Sequence, residues 1–284
     1  MTTAGQRLEL CITDVRHWMA ANRLKLNADK TELLWAGSKY GSTLLGSSGP
    51  PLRLGDETVT ASDHVRLLGV TISSDLSPVK HVGTISSSCF YWLRQIRRIR
   101  RSLDAESAKT LVHAFITSRI DGCNTVLAGS PRTITDRLQR LLNAAARVVS
   151  NTGKFDRGLT HLLHSELHWL DVPQRILHKL GVTVHRCLQG KAPQYLVNCC
   201  HPTSDVASRQ RLRSSNRHHL VIPRHRRSTL SRRAFCVAGP MAWNALPDDL
   251  RDPSLGADNF RKKLKTHQFC FDMHLDTQRI RGVA

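Results

Sequence analysis

From residue 76 to about 200 the apolar side chains recur every three or four residues, a period that builds helix faces and that a strand cannot use. Ile85, Cys89, Trp92, Leu93, Ile96, Ile99 and Leu103 form one such stripe. Asp104 can cap a second helix carrying Leu111, Val112, Phe115 and Ile116. Ser130-Pro131 places a cap residue and an N1 proline before Ile134, Leu138, Leu141, Leu142, Ala145, Val148 and Val149, with Gly153 just beyond. A short helix is expected over 159–163. A longer one carries Val172, Ile176, Leu177, Leu180, Val184, Cys187 and Leu188 and ends at Gly190, and a last short helix runs from 192 to 200.

The first 75 residues follow a different rule. An amphipathic helix over 6–22 carries Leu8, Cys11, Ile12, Val15, Trp18 and Met19. Leu24-Lys25-Leu26-Asn27 alternates, 27–30 has turn chemistry, and Thr31 to Trp35 reads as a strand. After a Gly/Ser loop, Leu52-Arg53-Leu54 and Thr58-Val59-Thr60 flank a Gly55-Asp56 hairpin turn, and Val65 to Ile72 reads as a third strand. This part resembles the edge of a sheet domain, too small to stand alone. After Pro202 the composition shifts again: residues 206–247 hold no acidic residue but nine arginines. Turn-rich 237–247 follows, then a final helix with Phe260, Leu264, Phe269 and Phe271. The expected fold is α+β and mostly α. A strand and hairpin stub with an N-terminal helix spans 1–75, a helical bundle 76–200, and a basic irregular or helical region 201–284.

Charge narrows the function. The chain has 42 Lys and Arg against 22 Asp and Glu, a formal +20. Such an excess favours a polyanionic partner, nucleic acid or an anionic membrane surface. No run approaches the roughly 18 apolar residues of a membrane span. Eight scattered Cys without a C-x-x-C, and no secretory signal, point to reduced thiols in an intracellular setting.

Enzyme signatures are mostly missing: there is no P-loop, no G-x-G-x-x-G and no H-E-x-x-H. His161, His164 and His168 would align on a helix, which makes a His-based metalloprotein a rival reading, although ordinary surface or core histidines are expected. Cys199-Cys200-His201 lacks the gap of a zinc knuckle. Asp248-Asp249 reads as a loop or helix-start charge rather than a two-metal site. No catalytic or metal residue is therefore assigned.

The cationic segments carry more information. Residues 91–101 combine an apolar stripe with Arg94, Arg97, Arg98 and Arg101, and no acidic residue lies between 76 and 103 to pair them. One side can pack on a bundle while guanidinium groups grip phosphates. A second nucleic-acid contact is expected from Arg209, Arg211, Arg213, Arg217, Arg224, Arg226 and Arg227, with a basic linker or nuclear-localisation patch as the plainer alternative.

Short motifs then point to a family. Residues 18–37 (WMAANRLKLNADKTELLWAG) resemble the segment after the catalytic Asp-Asp strand, motif D, in reverse transcriptases of non-LTR, LINE-like, jockey-type retrotransposons. Residues 65–82 resemble the Leu-Gly-Val hairpin that follows. The resemblance continues through SRIDGCNTVLAG (118–129), LQRLLNAAARVV (138–149), LHWLDVPQRILHKL (167–180), KAPQYL (191–196), GPMAWNALPDDLR (239–251) and FRKKLKTHQF (260–269).

What the resemblance implies is specific. Residues 1–75 would be the end of a palm, 76–200 a thumb, and 201–284 a basic C-terminal region. Lys30 matches the motif D lysine, suited to sit near an incoming triphosphate. Leu68, Gly69 and Val70 match the primer-grip-like hairpin, and the arginine-rich helix matches the start of the thumb. The family's catalytic aspartates would precede Met1, so this chain alone is expected not to polymerise. Mg2+ is expected only in the full-length polymerase, and no cofactor in this chain. The expected partners are a nucleic-acid backbone (RNA template, RNA–DNA hybrid or DNA duplex) and the palm and fingers of the same polymerase, with no membrane. The setting would be a nuclear or cytoplasmic ribonucleoprotein. The alternative is a stand-alone basic nucleic-acid-binding or interaction module derived from such an element.

Overall fold

The computed structural model describes residues 4–37, 49–55, 57–153, 155–206, 217–225 and 231–281. It is mostly helical with two small antiparallel hairpins, an α+β fold. The chain divides into two compact units, Met1–Gly83 and Thr84–Ala284.

Unit 1 opens with helix α1 (Ala4–Ala21). Its apolar stripe is only partly covered: Ile12 and Met19 are half-buried, whereas Leu10 and Trp18 are 61% and 63% exposed. The expected strand at 31–35 is a single parallel bridge, Leu33 to Ala61, because no neighbouring strand continues the ladder. Strands β1 (Leu52–Leu54) and β2 (Glu57–Val59) pair antiparallel across the Gly55 turn, as their sequence predicts. Gly55 has φ +71°, and a side chain there would meet the Arg16 guanidinium.

The third expected strand is instead a second hairpin. β3 (His64–Leu67) and β4 (Val70–Ser73) pair with Leu67 opposite Val70. Leu68 and Gly69 both have positive φ, 48° and 85°, the signature of a type I′ turn. That turn matches strand twist, and the glycine makes it accessible. The core of this unit is small: Leu33, Leu52 and Leu54 are buried, with Ile12, Leu26, Trp35, Val59 and Ala61 packed on them.

Unit 2 follows the helical period closely. Helix α2 (Val79–Ile99) buries Cys89, Leu93 and Ile96, while Ile99 is 49% exposed. Asp104 caps α3 (Ala105–Val112) by accepting from the Ser107 N–H at 2.6 Å. A π turn over His113–Thr117 leads into α4 (Ser118–Asp121). Helix α5 (Arg132–Ser150) buries all seven expected apolar positions; Pro131 takes the cap place, and Asn151, left-handed at φ 58°, closes the helix before Gly153.

After the short α6 (Leu159–His161) comes α7 (Val172–Leu188), whose start is a capping box between Asp171 and Gln174. Of its expected core residues, Leu177 is the exception at 49% exposed. Helix α8 (Gln194–Val197) follows. Residues 237–247, expected as turns, are largely helix: α9 (Phe235–Asn244) contains Pro240 in its interior. Burial of Val237, Ala238, Gly239, Pro240, Ala242 and Trp243 outweighs the hydrogen bond that proline removes. α10 (Ala257–Arg281), with side chains described to Cys270, packs with α9 and α5 around α7. The segment 201–284 thus contributes Leu220, Trp243, Leu250, Phe260 and Leu264 to one core with Val184 and Cys187.

Candidate nucleic-acid interface

Helix geometry turns the spacing of the arginines into a surface. At 3.6 residues per turn, positions 94, 97, 98 and 101 fall within an arc of about 100°. The centre of that arc lies about 120° around the helix from the buried Cys89, Leu93 and Ile96, and all four arginines are exposed. Arg101 lies in the 3-10 turn Arg100–Ser102 that finishes the helix. Among the described residues none of the four makes an ion pair or a side-chain hydrogen bond. The nearest acidic groups in sequence are otherwise engaged. Asp104 is held below the usual carboxylate range by hydrogen bonds at the α3 cap, and Glu106 pairs with Lys109 at 3.8 Å.

Two aromatic residues missed by sequence reasoning share this face. Phe90 and Tyr91 sit four and three residues before Arg94 and are 43% and 50% exposed. Their angular position was available from the helical period alone. Tyr91 meets Trp92 edge to face at 5.4 Å, and Trp92 stacks on Phe115 at 4.4 Å, which anchors this side of α2 to the helix beneath. The result is a cationic strip with aromatic side chains at one end, suited to phosphates and to the faces of unstacked bases.

Arg100, inside the same run, does something else. Its guanidinium donates to the carbonyls of Val148, Val149 and Leu103 at 2.7–2.8 Å. The first two end α5, where carbonyls lack helical partners and the dipole favours a cation. Arg100 is a cap.

The second basic segment is partly described. Arg217 and Arg224 are exposed, while Arg209, Arg211, Arg213, Arg226 and Arg227 lie outside the described residues. The adjoining backbone is gripped by α9. Asn244 accepts from the Leu220 N–H at 2.8 Å and donates to the Leu220 carbonyl at 2.9 Å, and Trp243 Nε1 donates to the His218 carbonyl at 2.8 Å. Pro202 and Leu220 bridge antiparallel on the other side. Arg251 is buried at 4% exposure and pairs with Asp248, yet its Nε and Nη1 have no partner. Burial, with Arg217 nearby, lowers its affinity for the proton.

In unit 1, Lys30 ends the turn Ala28–Lys30 with its side chain in solvent. Leu68 projects from its hairpin tip at 93% exposure, with Gly69 beside it and Val70 half-buried. A cleft of about 330 Å³ lies elsewhere in this unit, lined by Arg16, His17, Lys25 and Glu57 among others, and Lys30 is not part of its wall.

The residues weighed as metal ligands go separate ways. The helix expected to align the three histidines passes into a π turn over Leu162–Glu166, and His168 is left-handed at φ 52°. His161 pairs with Glu166 at 3.6 Å and His164 with Asp171 at 3.5 Å. Cys200 is buried beside Cys187, and burial pushes its thiol up to about 12. Asp248 serves Arg251. Among the described residues, no three His, Cys, Asp or Glu side chains gather where they could hold a metal ion. No described helix is long and apolar enough to cross a membrane. Comparison with family models, curated proteins and solved structures finds no match to this chain.

Proposed function

We propose that the chain is the C-terminal part of a non-LTR retrotransposon reverse transcriptase, running from the end of the palm through the thumb, and that its work is to hold the nucleic-acid backbone. The observation that carries this reading is the α2 face, where Arg94, Arg97, Arg98 and Arg101 stand exposed without an acidic partner beside Phe90 and Tyr91. Guanidinium forks on phosphate oxygens fix position without reading sequence. The hairpin tip at Leu68-Gly69 supports the same assignment, since it projects an exposed backbone turn of the kind the family uses near a primer end. Binding and positioning are the part of the reaction assigned to this chain, and the palm and fingers of the same polymerase are its partner.

The test is the salt dependence of duplex binding. If ~4–6 phosphates are neutralised, log K falls against log salt with a slope of roughly −3 to −5. Changing the four arginines to Ala should weaken duplexes of different sequence equally and flatten that slope. A flat dependence in the parent chain, or a base-selective loss, would refute the reading. Primer extension by this chain with Mg2+ should give no product, and robust extension would refute its assignment as a non-catalytic part.

A further inference from the structure

A cavity of about 450 Å³ opens in unit 2 between the start of α5, the first turns of α7 and one side of α9. That volume lies within the range of small-molecule sites. The cavity arises from a size mismatch. α9 and its C-cap residue present Ala238, Ala242 and Ala245 toward the leucine-bearing face of α7, and three methyl groups leave the groove unfilled. Most of the wall is carbon, and Leu177 and Met241 at its edge are 49% and 39% exposed.

One end differs from the rest. Ser130 lines it, and its hydroxyl is shielded from solvent with no hydrogen-bond partner. A buried polar group left this way costs about 1–3 kcal/mol. α5 begins two residues later with Pro131 at the cap, no capping side chain and no acidic residue in its first turn, so its dipole is uncompensated there. Arg132 and Arg232 complete that end, and the Arg232 backbone lies against Gly129. Among the described residues neither arginine has an ion-pair partner, and no acidic side chain lines the cavity. The charged residues of the cavity wall, Arg132 and Arg232, are thus both cations, and they share it with the Ser130 hydroxyl.

We propose that this cavity is a binding site for an amphiphilic anion, with an alkyl or otherwise apolar body between α7 and α9 and a carboxylate or phosphate head held by Ser130, Arg132 and Arg232. The site is independent of the α2 face and of the nucleic-acid reading. A head group that only accepts hydrogen bonds satisfies the Ser130 hydroxyl, the helix end and both arginines together. A neutral ligand satisfies only the first.

Isothermal titration of the full chain tests this with decanoate, decyl phosphate, decan-1-ol and inorganic phosphate, each below its aggregation threshold. Saturable binding at one per chain is expected for at least one of the two anions, and the tighter of them identifies the head. Decan-1-ol should bind at least tenfold more weakly, and inorganic phosphate should show no saturable binding. Ala245→Phe, at an exposed lining position, should fill the groove and reduce anion binding at least tenfold while circular dichroism stays unchanged. The double change Arg132→Ala and Arg232→Ala should bring the anion down to the affinity of decan-1-ol and leave decan-1-ol itself unaffected. Several anions bound per chain, equal binding by Ala245→Phe, or binding of an acidic leucine-bearing peptide but of neither amphiphile would overturn the proposal.

Discussion

Five arginines occupy residues 94–101, and the structure assigns one of them a task that the other four do not share. Arg100 donates three hydrogen bonds at 2.7–2.8 Å to main-chain carbonyls, two of them at the end of α5. Hydrogen bonds from a charged donor contribute about 1.5–3 kcal/mol each, but water can reach this half-exposed site and replace part of the loss. Arg100→Ala should therefore destabilise by about 2–4 kcal/mol, less than the sum of three separate bonds. Arg100→Lys should recover under half of that, because a single ammonium cannot span carbonyls from two segments. Urea unfolding followed by circular dichroism measures the change, with an unaltered slope confirming that only stability moved. The single changes Arg94→Ala, Arg97→Ala, Arg98→Ala and Arg101→Ala should stay within about 0.5 kcal/mol of the parent. Each should instead flatten the salt dependence of duplex binding by up to about 0.9. If Arg100→Ala unfolds like the parent, or if the four exposed arginines prove the more destabilising, the division of labour drawn here is wrong.

Asn244→Ala strips partners from both the N–H and the carbonyl of Leu220, which is 2% exposed, and should cost about 2–5 kcal/mol. Asn244→Asp keeps the acceptor and loses the donor, so urea midpoints should fall in the order Asn, Asp, Ala. Leu68→Gly relieves a left-handed leucine at the hairpin tip and should stabilise by about 0.5–1 kcal/mol in the same assay; destabilisation would mean the leucine is packed. His81, His178 and His185 are all shifted below 6.5 by burial, and His81 Nδ1 accepts the Thr71 N–H while His185 Nε2 meets the Leu255 carbonyl. Below pH 6.5 the unfolded chain takes up protons that these folded rings resist. Stability should hold above that pH and fall as pH drops toward their lowered folded values, before the carboxylates titrate. A urea midpoint that stays level or rises between pH 6.5 and about 5 would contradict this.

Where burial and period agree, the sequence is a reliable guide. The expected core of α5 is buried at every position, and the α7 stripe misses only at Leu177. Departures have local causes. Val65 to Ile72 reads as one strand because its turn uses leucine, a residue without turn chemistry, at the first central position. Gly239-Pro240 reads as a break because propensity cannot see the packing against α7 that buries it. The three histidines separate because a π turn adds a residue to the repeat. At the candidate interface the arginines were legible from charge alone. Phe90 and Tyr91 were overlooked because exposed aromatics look like core in a one-dimensional pattern. Arg100 could be told from its neighbours only once α5 ended beneath it.

Gly239 sets a spacing that the rest of unit 2 inherits. A methyl group at that position would lie 3.1 Å from both Val184 and Phe235, so α9 rests on α7 with a hydrogen atom as its gasket. Any larger residue asks the Val184 and Phe235 side chains to give by a few tenths of an ångström, beside the Trp243 and Asn244 that hold the neighbouring main chain. The GPMAWN string accordingly works as a hinge pin for the architecture. A substitution at Gly239, Trp243 or Asn244 would therefore register first as a change of shape.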